Sequence, residues 1–441
     1  MAIIPQTTMF DYESDLKDYG DLERLRMVLE CLPDEEVVRK LEKRRGSHGR
    51  DDYPVRLMWN LFIALIVFQH PSVASLLREL KRNVQLRWVV SGGRMNSLNV
   101  PSADAMSRFL KSLIYVQEGM DGLIDALIEQ LKKMLPDLGE RLAMDSKMIS
   151  SYSPGESAGR KQDGRGEHDA RWGKKKYTGR REDGSFWEKE VSCFGFKLHL
   201  LVDSLYELPL AYEVTPANGS DTPEGKKLVE GYKARHPGLY ECAKYLSADR
   251  GYDCQDLVEQ LAQDEVVAVI DTREMWKERE HPLLDYENLT YTEKGEVYCA
   301  CPRTGKQLKM GNLGYERSRD SVRKVCPMRQ YHGLNCQGAA FCRMRGRSLR
   351  IPRQTDPRAF QRLPRNSYKW EREYRRRTAV ERVNSRLDVS FGFERHTIRG
   401  QKKMRLRVAL ALLVMLAMAA AHLKAKGAEC RTYRSLVQMP A

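Results

Sequence analysis

Three acids stand far apart in a 441-residue chain: Asp145 in AMDS, Asp249 in LSADRGYD and Glu381 in TAVERVNSRL. Displacement at a phosphodiester asks for little covalent help from protein. It asks for two divalent ions, roughly 3.5–4 Å apart, that clamp the attacking and leaving oxygens. Mg²⁺ takes hard oxygen ligands, and carboxylates converging from separate elements supply them. Each acid alone has a plainer reading. An aspartate at a strand end is ordinarily a turn or cap residue. Glu381 has Arg377 at i−4, a pairing common on exposed helix faces. Asp203, which closes HLLVD, competes with Asp145 for the same role. Only the ordered set makes a case for catalysis.

The elements that must position these acids can be read from periodicity. Residues 1–135 carry apolar residues at helical spacing in DLERLRMVLECL, VRLMWNLFIALIVFQ, SVASLLREL and SADAMSRFLKSL. Pro54, Pro71 and Pro101 punctuate them, and Ser72 and Ser102 are N-cap candidates. This pattern fits a helix-turn-helix-like DNA-binding domain. Residues 136–274 read as a mixed α/β core. ERLAMDSKMISSYS is its first strand, and a long basic loop follows, rich in Gly, Arg and Lys. GFKLHLLVD and ELPLAYEVTP form a hairpin, and Ser220 or Asp221 caps the next helix. KYLSAD is a strand, QDLVEQLAQ a helix and VVAVIDT a buried strand. Asp145 then lies in the first strand and Asp249 ends a later one, where an open α/β sheet forms its ligand crevice. Residues 275–350 are a Cys-containing insertion with little periodicity and no evident core. Residues 351–441 return to helices. Glu381 lies there beside the apolar stripe Val380, Val383, Leu387 and Phe391.

The apolar run Val408 to Ala421 is shorter than the roughly 20 residues that a membrane span needs, so a buried core helix is expected. The N-terminus has no basic start followed by an apolar block, so no signal peptide is expected. Hydrophobic residues make up 41% of the chain, enough for a sizeable core, which excludes global disorder. The formal charge of +15 points to a polyanionic partner, nucleic acid first. These features together imply a cytoplasmic, nucleoid-associated protein with no membrane partner.

At these residues the chain resembles the DDE-type transposases of bacterial insertion sequences, which have a ribonuclease H-like core. The resemblance covers nearly the whole chain. Pro54 to Leu113 looks like the InsH-type N-terminal domain, GFKLHLLVD and VTPANGSD look like the family's second and third strands, and SADRGYD looks like the segment carrying its second aspartate. In YRRRTAVE, Tyr374, Arg377 and Glu381 have the Y-x2-R-x3-E spacing of the YREK signature. The resemblance implies that Asp145, Asp249 and Glu381 bind Mg²⁺ or Mn²⁺ and that Arg377 and Tyr374 hold DNA phosphate nearby. It implies strand cleavage and strand transfer at terminal inverted repeats, with double-stranded DNA as partner and a homodimer on that DNA. One position departs. The signature lysine, seven residues after the glutamate, is Asp388 here. Its phosphate contact is either missing or supplied by Arg382 or Arg386.

Basic residues elsewhere extend the expected DNA surface. Arg82, Arg108 and Lys111 lie on N-terminal helices, either in a groove or on a solvated face. The basic loop holds Arg160, Lys161, Lys174, Lys175, Lys176, Arg180 and Arg181, directly after the Asp145 strand. Cys301, Cys326, Cys336 and Cys342 are candidates for a structural Zn²⁺ site, with Cys299 competing. The alternative is buried, unliganded thiols. Two rival functions remain: a ribonuclease H-like DNA nuclease without joining activity, and a non-catalytic, domesticated DNA-binding protein.

Overall fold

The computed structural model describes residues 20–45, 52–93, 99–154, 166–180, 185–283, 286–301, 303–331, 336–337 and 348–426; the side chains of 176–180 and 186 are not described. Seven helices come first: α1 (Glu23–Cys31), α2 (Glu35–Arg45), α3 (Val55–Val67), α4 (Val73–Arg82), α5 (Val84–Val90), α6 (Ala103–Tyr115) and α7 (Gln117–Met134). The expected caps are present. Ser72 Oγ accepts from Ser75 N at 3.2 Å, and Ser102 Oγ accepts from Ala105 N at 3.1 Å. Each satisfies one of the donors that a helix start leaves orphaned.

The central sheet follows. Its strands are β1 (Arg141–Ser150), β2 (Arg171–Arg180), β3 (Phe186–Asp203), β4 (Leu208–Pro216), β5 (Tyr245–Ala248) and β6 (Val267–Ile270). Between them lie α8 (Asp221–Arg235), α9 (Pro237–Tyr240) and α10 (Gln255–Gln263). β3 pairs antiparallel with β1 on one side and β4 on the other; β1 pairs parallel with β5, and β5 with β6. The short parallel strands are apolar and buried, as strands covered on both faces must be. This is the mixed sheet of a ribonuclease H-like core, with β1 central.

The basic stretch after β1 is not all loop. Arg171–Arg180 pairs with Arg180↔Phe186 to Arg171↔Gly195 of β3. The 18-residue β3 thus serves β2 with its first half and the sheet with its second. Charge hid this strand, because β pairing of an exposed ribbon needs cross-strand partners more than burial. Lys174 meets Glu190 at 2.8 Å across the ribbon, and Trp172 tilts against Phe194.

Residues 275–350 also differ from expectation, because they have a core. β7 (His281–Leu283), β8 (Tyr286–Tyr291), β9 (Val297–Ala300) and β10 (Gln307–Lys309) form one sheet. β11 (Gly311–Glu316), β12 (Ser321–Val325) and β13 (Ser348–Pro352) form another, with α11 (Pro327–Gln330) after β12. Leu283, Leu289, Val297, Val322, Ile351 and Phe360 pack between them. These apolar residues come one or two per strand, too sparse for periodicity to register. Trp276 stacks on His281 and packs against this core.

The chain then returns to the main body through α12 (Tyr368–Tyr374), α13 (Thr378–Ser390) and α14 (Gln401–Lys426). α14 is longer than its apolar run suggested. Its segment Gln401–Ala425 has the length and composition to cross a membrane, yet its apolar window is wholly enclosed by protein. It packs on α7, α1, α3 and β4. A helix apolar on every face needs neighbours on every face. One continuous apolar cluster therefore joins the N-terminal helices to the sheet.

Candidate active site

β1 and β5 run parallel, and their pairing ends at Met144↔Ala248. The next residue on each strand is an aspartate, Asp145 and Asp249. Adjacent strands lie about 4.8 Å apart, so the two carboxylates are neighbours where the β1–β5 pairing ends. Asp145 is buried, and its Oδ1 accepts from Ser146 N at 2.7 Å. Asp249 caps a 3₁₀ turn, accepting from Gly251 N at 2.8 Å. Burial, and then the Asp249 charge, push the Asp145 carboxyl up to about 6. Two like charges held side by side with little water are a setting that a cation relieves.

Glu381 reaches the same place through Arg377. The Arg377 guanidinium places Nη2 2.9 Å from Glu381 Oε1 and Nη1 3.6 Å from Asp145 Oδ2. It also lies over the Tyr374 ring, 5.8 Å from its centroid. Burial pulls the Arg377 pKa down, but Glu381 and Asp145 outweigh it and hold it above its ordinary value. The Tyr-x2-Arg-x3-Glu spacing does not lie on one continuous helix. Tyr374 ends α12, Arg375–Arg377 form a 3₁₀ turn, and Glu381 is on the first turn of α13. The three side chains still meet at one centre.

Among the described residues, no three His, Cys, Asp or Glu side chains are grouped tightly enough to hold one ion. At the acids, the guanidinium of Arg377 stands between Asp145 and Glu381. The donor set nevertheless fits a hard divalent cation: all-oxygen, anionic and drawn from three elements. Cys301, Cys326 and Cys336 form no such group, and Cys326 is buried in the apolar core of the insertion; Cys342 lies outside the described residues.

Glu381, but neither Asp145 nor Asp249, lines an adjoining cleft of about 650 Å³, which also takes in Ser146 and Lys147 just past Asp145. Glu381 and Asp388 line one wall; Lys174, Lys175 and Lys197 line it from the strands. Lys176 follows on β2, but its side chain lies outside the described residues, as do Arg160, Lys161 and Arg181 and the side chain of Arg180. Arg82, Arg108 and Lys111 are exposed on α4 and α6 and do not line this cleft. Asp203 is no competitor. It is buried, and it accepts from Gly139 N, Leu205 N and Tyr206 N at 2.7–2.9 Å, so it is consumed in bracing a turn.

The structure also answers the Asp388 departure. Arg382 and Arg386 both turn to Glu207, on the β3–β4 connection. Lys147, two residues past Asp145, crosses the cleft instead. Its Nζ bonds Asp388 and lies 3.1 Å from Glu394. A lysine is thus present where the helix lacks one, supplied by β1. Nothing in the spacing of Lys147 signalled this.

Asp221 was expected only as a cap. Its side chain instead enters the cleft, where Oδ1 accepts from Ser146 Oγ at 2.8 Å and from Lys197 Nζ at 3.1 Å. Gly225, one turn on, lets α8 press onto Tyr252; a Cβ there would meet the ring at 2.6 Å.

A mixed sheet with β1 at its centre, two aspartates side by side where the β1–β5 pairing ends, and a glutamate from a late helix is the arrangement of a ribonuclease H-like fold. The family described as Transposase DDE domain matches residues 137–417, and that described as Transposase domain (DUF772) matches residues 12–112. The first match spans more than half of the chain, which therefore belongs to the DDE transposase family. It is a transposase. Among solved structures, a piggyBac transposase synaptic complex with hairpin DNA is similar at 12% identity and a TM-score of 0.32, over 93% of this chain and 82% of that one. No curated protein matches.

Proposed function

We propose that this transposase cleaves DNA at the inverted-repeat ends of an insertion sequence and joins them to target DNA, with Asp145, Asp249 and Glu381 holding Mg²⁺ or Mn²⁺. The observation that carries the reading is the side-by-side register of Asp145 and Asp249, with Glu381 tied to Asp145 by one guanidinium. Bound there, the divalent ions activate water and neutralise charge on the phosphate. Water attacks phosphorus, the P–O3′ bond breaks, and a 3′-hydroxyl is released. That hydroxyl then attacks a target phosphodiester, whose own 3′-oxygen leaves. Arg377, which spans Asp145 and Glu381, would hold the scissile phosphate once a cation occupied those carboxylates. Tyr374 braces it. Lys147, Lys174, Lys175 and Lys176 hold the flanking backbone.

Residues up to about 135 bind the inverted repeat, with Arg82, Arg108 and Lys111 as contacts. Two ends must be held together, so a homodimer forms on DNA. The protein works in the cytoplasm, at the nucleoid.

The test uses Asp145→Asn, Asp249→Asn and Glu381→Gln on duplexes taken from the DNA flanking the gene. Each variant is expected to bind the end duplex within about twofold of wild type and to lose cleavage by more than about 10³-fold. Normal cleavage by any one of them refutes the assignment. Pre-cut ends offered to wild type separate a transposase from a nuclease, since only the former makes joined product.

A further inference from the structure

A second cationic cavity, of about 350 Å³, lies away from the acids, between the N-terminal helices and the start of α14. Phe62, Leu406 and other apolar side chains make its floor. Arg399, Lys403 and Arg407 line it, as does Ser72 at the N-terminus of the ten-residue α4. Among the described residues no acid lines it.

Arg407 is the informative member. It is only 5% exposed. Its Nη2 donates to two backbone carbonyls, Gly392 O at 3.2 Å and Arg395 O at 3.3 Å. Its Nε has no hydrogen-bond partner among the described residues, and no carboxylate pairs with it there. Burial alone pulls its pKa down to about 10, which leaves it charged at neutral pH. A buried charge is normally paired, because desolvating it costs several kcal/mol that only a counter-charge returns. Among the described residues, nothing supplies that counter-charge. The N–H groups of the first turn of α4 add positive potential on the same cavity. This is a setting that an external anion would complete.

We infer that this cavity binds one backbone phosphate of DNA, seating the adjoining sugar on its apolar floor. The inference rests on the transposase reading. His396 Nε2 lies 3.1 Å from Ser150 O, so the loop ahead of α14 is fastened to the end of β1. Ser150 is five residues beyond Asp145, about 17 Å at strand rise. B-DNA advances about 34 Å per turn, so on a duplex that follows β1 the proposed phosphate is placed roughly half a turn from the cut.

The test takes the full chain, its Lys403→Glu variant and, separately, Arg407→Gln. Lys403 is exposed at the rim, so its substitution leaves the fold intact even if the buried Arg407 variant does not fold. The probe is a labelled duplex from the DNA flanking the gene, carrying single uncharged methylphosphonate linkages placed one at a time. For wild type, one linkage about half a turn from the cleavage point is expected to weaken binding about tenfold. Lys403→Glu is expected to weaken the unmodified duplex by a similar factor and to lose sensitivity to that one linkage. Equal linkage profiles for wild type and variant overturn the site. So does a cavity that takes inorganic phosphate alone, seen as phosphate protection of wild type but not the variant with duplex affinities unchanged. Wild type that cuts the duplex while Lys403→Glu binds it normally sinks only this site. Wild type that neither binds nor cuts sinks the transposase mechanism with it.

Discussion

The insertion is fastened to the sheet beside Asp249 by one arginine, and removing it should loosen both. Arg358 Nε donates to Asp253 Oδ2 at 2.8 Å, its Nη2 donates to Arg273 O at 2.5 Å, and the same nitrogen bonds Glu293. The Asp253 side chain is fully buried and that of Glu293 is 10% exposed. Asp253 stands four residues beyond Asp249, and its remaining contacts are Arg273 N at 2.9 Å and Arg365 at 3.5 Å. Arg358→Met keeps the length of the side chain and strips both carboxylates of their shared cation. Breaking a buried pair from one side costs about 3–5 kcal/mol, mostly from the charge left behind. Part of that loss is offset by Arg365, so about 3 kcal/mol is expected. Denaturant unfolding of the full chain reads the loss, and hydrogen exchange should place it at residues 250–300. Arg358→Met combined with Asp253→Asn should recover part of it, because the stranded charge is gone. A loss under about 1 kcal/mol, or a double variant worse than the sum of the singles, refutes the reasoning.

Two further outcomes follow from single groups. Lys324 is buried in the insertion, donating to Gly295 O at 2.8 Å and Asn312 Oδ1 at 2.7 Å, and burial pulls its pKa from 10.5 to about 8. The folded chain then binds fewer protons than the unfolded one between those values, so stability rises with pH across that window, by up to about 3 kcal/mol. Unfolding midpoints from pH 7.5 to 9.5 should show this rise for wild type and not for Lys324→Met; parallel slopes would count against it. Lys174→Ala with Lys175→Ala removes two cations from the cleft wall. The slope of log Kobs against log[salt] for end-duplex binding should become shallower by about 1–2, and an unchanged slope places the DNA elsewhere.

Much of the architecture was legible because short-range chemistry and long-range packing agree. Ser72 and Ser102 cap where their spacing says, and VVAVIDT is a buried parallel strand as its unbroken apolar run says. Asp145 within β1 and Asp249 just past β5 are placed together by the parallel pairing of the two strands. Other features needed partners distant in sequence. β2 reads as a basic loop until β3 pairs with it. The insertion's core is assembled from one or two apolar residues per strand. The span of α14 is set by the neighbours that enclose it. At the site, Lys147 and Asp221 carry no local mark of function. Lys147 gains its place from Asp388, 241 positions away. The cysteines stay open for the same reason: spacing without geometry cannot tell a ligand set from separately packed thiols, and Cys342 lies outside the described residues.

The most direct test of the proposed shared metal site is a change of metal preference. Asp145→Cys and Asp249→Cys swap a hard oxygen for a softer sulfur in place. End cleavage by each should be lost in Mg²⁺ and recovered, at least in part, in Mn²⁺, while a control Asp203→Cys shows no such switch. Equal activity of a variant in both metals, or no recovery in Mn²⁺ by either, contradicts direct coordination by these two carboxylates.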